Sequence, residues 1–149
     1  MMKWLIQEDG PGCILFALCN ALRYFDAPSP EPGGEGWEDL VAIGGGRYGP
    51  VTRPRKVAEK LGLELELCKK EEVEPPAMVS LYFEDDETDV NLHVCLVAGV
   101  FGRGEKMTLI NYLPGEVATR TSSVDEIPWA MEPNNQHYNL IIPFFGPRI

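Results

Sequence analysis

The chain has little histidine, two residues in 149, and its four cysteines (Cys13, Cys19, Cys68 and Cys95) form no C-x-x-C pair. Zinc sites need such ligands at short fixed spacings, so spacing gives a metal centre no support and no cofactor is expected. The N-terminus, MMKWLIQEDG, has no long apolar core and no small-residue cleavage site. A signal peptide is therefore not expected, nor a disulfide framework, and the reading is of a cytoplasmic protein with free thiols. No apolar run is long enough to span a membrane. Basic residues are also scarce: 13 Lys and Arg stand against 23 Asp and Glu, for a net charge of −10. Ten acidic residues and only two basic ones, Lys69 and Lys70, lie between Glu64 and Asp89, a local net of −8. That balance argues against nucleic acid, which needs a basic surface. The acidic stretch reads as solvated surface, mildly compatible with a cationic partner. There are no repeats and no linker long enough to split the chain, so residues 1–149 are expected to form a single domain. A domain of this size buries roughly 70% of its unfolded surface and needs no staples.

What is present is organised around QEDGPGCILFALCNALRYF, residues 7–25. Gly10, Pro11 and Gly12 keep the chain from being helical before Cys13. From Cys13 to Phe25 it is apolar nearly all round, which marks a buried helix. Cys13 thus sits at the helix's amino end, where unpaired N–H groups and the dipole favour a thiolate. Cys19 reads as a small core residue. A Pro/Gly-rich loop follows, then a short helix over Trp37–Ile43 and a glycine run, Gly44–Gly46, read as a turn and not a phosphate cradle. Thr52 is a candidate N-cap for a helix from Pro54 to about Leu61, ended by Gly62.

From there the pattern is of strands. Leu63, Leu65 and Leu67 alternate with polar neighbours; Ala77–Phe83 is a strand; Leu92–Phe101 is apolar on both faces and reads as central. Gly102-Arg103-Gly104 is a hairpin turn to a return strand over Met107–Tyr112. Ser123-Val-Asp-Glu126 has the capping-box pattern of a short helix. Tyr138–Phe145 is a last strand, placed by Pro143 at an edge or end. The order predicts an α+β fold, with the Cys13 helix packed on a mostly antiparallel sheet.

A cysteine nucleophile needs a base and a group to orient the base. Counting back from the turn, Phe101 faces Glu105 and His93 faces Leu113. Asn111 is then diagonal to His93 on one face, within side-chain reach at roughly 7–8 Å. Its side-chain amide oxygen is expected to fix the His93 tautomer. His137 is expected as a surface loop histidine.

A Gln six residues before a Cys that opens a central helix, followed by His and Asn in the order Gln7, Cys13, His93, Asn111, resembles the papain-like cysteine peptidases. VAEKLGLELELCK, PPAMVSLYF, HVCLVAGV and MTLINYLPGE resemble, across nearly the whole chain, the double-glycine leader peptidases that process bacteriocins. There are departures: Gly12-Cys13-Ile14 stands where that branch has a DCG motif, Asn111 stands where it has Asp, and no exporter helices accompany the domain. The resemblance implies a papain-like fold and a thiol hydrolase acting on a peptide or protein substrate, without carrying over the Gly-Gly site. It gives Cys13 the role of nucleophile, His93 that of base and Asn111 that of orienting group. Gln7 and the Cys13 N–H would form the oxyanion hole. The alternatives are a thiol acyltransferase or deamidase, a non-catalytic binding module of the same fold, and more remotely a zinc-bound structural protein.

Overall fold

The computed structural model describes residues 4–6, 13–32, 34–44, 54–82, 92–112, 119–130 and 137–142. Among these the fold is α+β, as expected: three α-helices and a six-stranded sheet whose pairings are all antiparallel. The helices are α1 (Cys13–Tyr24), α2 (Glu35–Gly44) and α3 (Pro54–Lys60). The strands are β1 (Glu64–Cys68), β2 (Ala77–Tyr82), β3 (Leu92–Phe101), β4 (Lys106–Ile110), β5 (Arg120–Ser123) and β6 (His137–Ile141). Their order across the sheet is β1-β6-β2-β3-β4-β5.

Helix α1 begins at Cys13, where the loss of Gly and Pro first permits a helix. It ends one residue before the expected Phe25. Asp26 adopts a left-handed conformation at φ 59°, and the Ala27 N–H closes back onto the Leu22 carbonyl at 2.8 Å. Gly62, at φ 79°, terminates α3 in the same way, with Leu63 N–H bonded to the Ala58 carbonyl. The sequence placed that stop correctly. The Thr52 cap, the glycines after Gly44 and the segment beyond Ile142 lie outside the described residues.

Two cores lie on the two sides of the sheet. On one side Leu15, Leu18 and Leu22 of α1 pack with Leu65, Met78, Leu96, Ile110 and Leu140, and Val94 and Ala98 join them. On the other, Val79, Leu81, Cys95, Val97, Leu109 and Ile127 pack together. Strand β3 is therefore covered on both faces, as its unbroken apolar sequence requires. Each fully buried leucine contributes roughly 1.5–3 kcal/mol, which is why a helix with so small a polar face is stable here.

The sequence missed β5, because RTSS carries no apolar alternation. Of the two positions that Pro143 suggested, a sheet edge is excluded, since β6 lies between β1 and β2, whereas a strand end agrees with β6 finishing at Ile141. The capping-box segment is a 3-10 turn over Val124–Glu126, with no side-chain cap from Ser123.

The β3–β4 register corrects the hairpin count and then restores it. The turn spans Gly102–Glu105, so Phe101 faces Lys106 and not Glu105. A bulge between Val97 and Gly99 then removes one residue of offset. Below it, Val97 faces Leu109 and Leu96 faces Ile110, the register that the expected pairing of His93 with Leu113 demands.

Candidate functional site

The first turn of α1 lies against the start of β3. The main-chain N–H groups of Val94, the residue after His93, and of Ile14 and Cys13 itself lie near the Cys13 sulfur. These donors stabilise a thiolate, as expected at a helix amino end, but burial outweighs them and pushes the thiol above its usual value. Burial thus works against the thiolate that the helix end favours. Cys19, one and a half turns further on and wholly buried, is pushed up to about 12.

His93 is 3% exposed. Its Nε2 lies 2.7 Å from the main-chain carbonyl of Asn111. A carbonyl only accepts, so Nε2 carries the proton and Nδ1 is the basic nitrogen of the neutral ring. Burial lowers the His93 pKa and the Asn111 carbonyl raises it, with burial the larger effect. Asn111 thus meets His93 as the sequence suggested, but through its backbone and not its amide oxygen. The cause is local. Beyond Ile110 the chain leaves β4 and Asn111 turns at φ 59°, a left-handed conformation that Asn tolerates better than most residues. That turn directs its carbonyl to His93 and its side chain elsewhere: Asn111 Nδ2 donates to the Leu5 carbonyl at 2.9 Å.

Strand alternation puts Val94, with Leu96 and Ala98, on the α1 face, and His93, with Cys95 and Val97, on the opposite face. The structure therefore brings Cys13 to the main chain beside His93, and His93 to the main chain of Asn111, at the end of β3 where β4 has turned away. Gln7 lies outside the described residues, two positions after Leu5 in sequence.

His137 is not a surface loop residue. It is 2% exposed, opens β6, and accepts the Ser80 N–H on Nδ1 at 3.1 Å. Its ring meets Trp129 edge-on at 5.2 Å.

Sequence reasoning missed Asn20. This amide on α1 is fully buried and grips Leu5 twice: Oδ1 accepts the Leu5 N–H at 2.7 Å and Nδ2 donates to the Leu5 carbonyl at 3.0 Å. The available signal was a single amide inside CILFALCNALRYF, since a polar group in so apolar a helix must find partners.

Among the described residues no group of three or more His, Cys, Asp or Glu side chains is placed to hold a metal ion. No described helix is long and apolar enough to cross a membrane. No protein-family model and no curated protein matches the chain.

Proposed function

We propose that the chain is a papain-like cysteine hydrolase that cleaves a peptide or amide bond in a peptide or protein substrate. The observation that supports this reading is the Nε2–H bond from His93 to the Asn111 carbonyl, which makes Nδ1 the basic nitrogen, one residue before Val94, whose main chain lies near the helix-terminal Cys13 thiol. Cys13 Sγ attacks the carbonyl carbon as its proton passes to His93 Nδ1, a transfer that requires the two side chains to meet around the open end of β3, because strand alternation sets them on opposite faces. The developing oxyanion is met by the Cys13 N–H and the Gln7 amide. His93 then gives the proton to the leaving nitrogen, the C–N bond breaks, and an acyl-thioester remains. Water, deprotonated by the same nitrogen, releases the acid and restores the thiol. Because burial keeps the thiol protonated and the imidazole neutral, the nucleophile is generated during attack and not stored as an ion pair.

That neutral resting pair also favours a second reading, a non-catalytic peptide-binding module of the same fold. Cys13-dependent hydrolysis of p-nitrophenyl acetate, followed by mass spectrometry of the acyl-enzyme, decides between them. Cys13→Ala abolishes turnover if the hydrolase reading holds, and retained turnover in that variant overturns it. Gln7→Ala lowers turnover by about 10²–10³, the usual loss for one oxyanion donor, without unfolding the protein.

A further inference from the structure

The Leu5 peptide is held more tightly than a lead-in segment requires. Its N–H donates to Asn20 Oδ1, and its carbonyl accepts two side-chain amides, Asn20 Nδ2 and Asn111 Nδ2. Asn20 is 0% exposed and Asn111 3% exposed, so both amides are buried groups that need partners, and the part-buried Leu5 peptide supplies them. Trp4 and Leu5 pack their side chains on the α1 core, which fixes the segment from its apolar side. A continuous chain of hydrogen bonds thus runs from α1 to His93: Asn20 to Leu5, Leu5 to the Asn111 side chain, and the Asn111 carbonyl to His93 Nε2. The last link depends on a left-handed turn at a non-glycine residue, a conformation that must be held by its surroundings.

We infer that Asn20 is a positioning residue: through the main chain of Leu5 it sets the turn at Asn111 whose carbonyl holds the Nε2–H of His93. Its consequence for catalysis rests on the hydrolase reading above, whereas its effect on the His93 ring does not. Asn20 touches no reacting group. It ties the helix that carries Cys13 to the turn that fixes the proton of His93, so nucleophile and base are set by one buried amide cluster.

The two histidines make the test internally controlled, because His137 is held by Ser80 and Trp129 and shares no bond with the cluster. The ring ¹⁵N signals of the labelled full-length chain are compared in wild type, Asn20→Leu and Asn20→Asp. The Asp variant keeps an acceptor for the Leu5 N–H but loses the donor to the Leu5 carbonyl. The expected result is a His93 ring fixed as the Nε2–H tautomer in wild type and exchanging between tautomers in both variants, with His137 unmoved. Movement of both rings together, which general loosening would produce, overturns the inference, and so does movement of neither. Should the variants not fold, the wild type still decides. A Leu5 amide protected from hydrogen exchange supports the cluster, and one exchanging as freely as an open chain overturns it. In the same variants Cys13-dependent p-nitrophenyl acetate hydrolysis falls by about tenfold or more as the base loses its orientation. Wild-type protein with no such hydrolysis sinks the hydrolase reading and leaves the ring signals to judge Asn20.

Discussion

His93 and His137 are the chain's two histidines, each at the start of a strand in one sheet, each almost wholly buried, and each with its pKa lowered chiefly by burial. Their described partners differ in polarity. Asn111 offers His93 a carbonyl, which holds Nε2–H and makes Nδ1 the basic nitrogen of the neutral ring. Ser80 offers His137 an N–H, which engages Nδ1 and takes up the basic lone pair. The chain's cysteines sharpen the contrast. Burial raises both Cys13 and Cys68 and main-chain N–H groups oppose it at both, but only Cys68, which faces His137 across β1 and β6, has Glu72, Glu66 and Glu74 near enough to disfavour a thiolate further. Burial and residue type are shared; what differs is the polarity of the described partner, and the base we propose is the ring that faces a carbonyl.

The strongest way to break this comparison is to remove each ring. His93→Ala lowers p-nitrophenyl acetate turnover by about 10²–10⁴, the usual worth of a positioned base. His137→Ala leaves turnover unchanged and instead removes the acceptor of the part-buried Ser80 N–H, lowering stability by about 1 kcal/mol in a urea titration. The opposite outcome, with His137 controlling turnover, would reverse the assignment.

A smaller effect sharpens the role of Asn111. Asn111→Gly keeps the carbonyl and readily adopts positive φ, while Asn111→Ala keeps the carbonyl but meets a left-handed penalty of about 1–2 kcal/mol. The glycine variant is expected to retain about tenfold more turnover than the alanine variant. Equal losses would indicate that the side chain, and not the backbone, orients His93.

The mildest effect is on pH dependence. Both histidines titrate below the unfolded value of 6.5 in the folded chain. Above that value both rings are neutral in either state and their contribution to stability is complete. As pH falls through it the unfolded chain binds protons first, so stability declines toward the lower folded values. The urea midpoint should fall on the acid side, less steeply in His137→Ala, and should fall again above the unfolded thiol value of 9.0, because burial raises the folded cysteines. An equal slope in that variant would remove His137 from the account.

Much of this was legible in the sequence. Gly12 before Cys13 set the start of α1, Gly62 the end of α3, and the apolar run from Leu92 to Phe101 the bounds of the central strand, because each depends on local backbone freedom or on burial of both faces. The pairing of His93 with Asn111 was also readable, though only because the longer turn and the bulge before Gly99 offset each other. What could not be read depends on non-local events. The left-handed turn that exchanges the roles of the Asn111 backbone and side chain is one. The burial that overrides the helix end at Cys13 is another, and the grip of Asn20 on Leu5, fifteen residues earlier, is a third. β5 escaped because its pairing with β4 rests on main-chain bonds that four polar residues do not announce.

The central claim is that His93 serves the Cys13 thiol from across the end of β3. It is tested most directly by iodoacetamide alkylation of Cys13, read by mass spectrometry in the Cys68→Ala background, with and without His93→Ala. Loss of the imidazole is expected to slow alkylation by about tenfold near neutral pH, where the thiol needs a base, and hardly at all near pH 10, where hydroxide supplies one. Identical rates with and without His93 near neutral pH would contradict it.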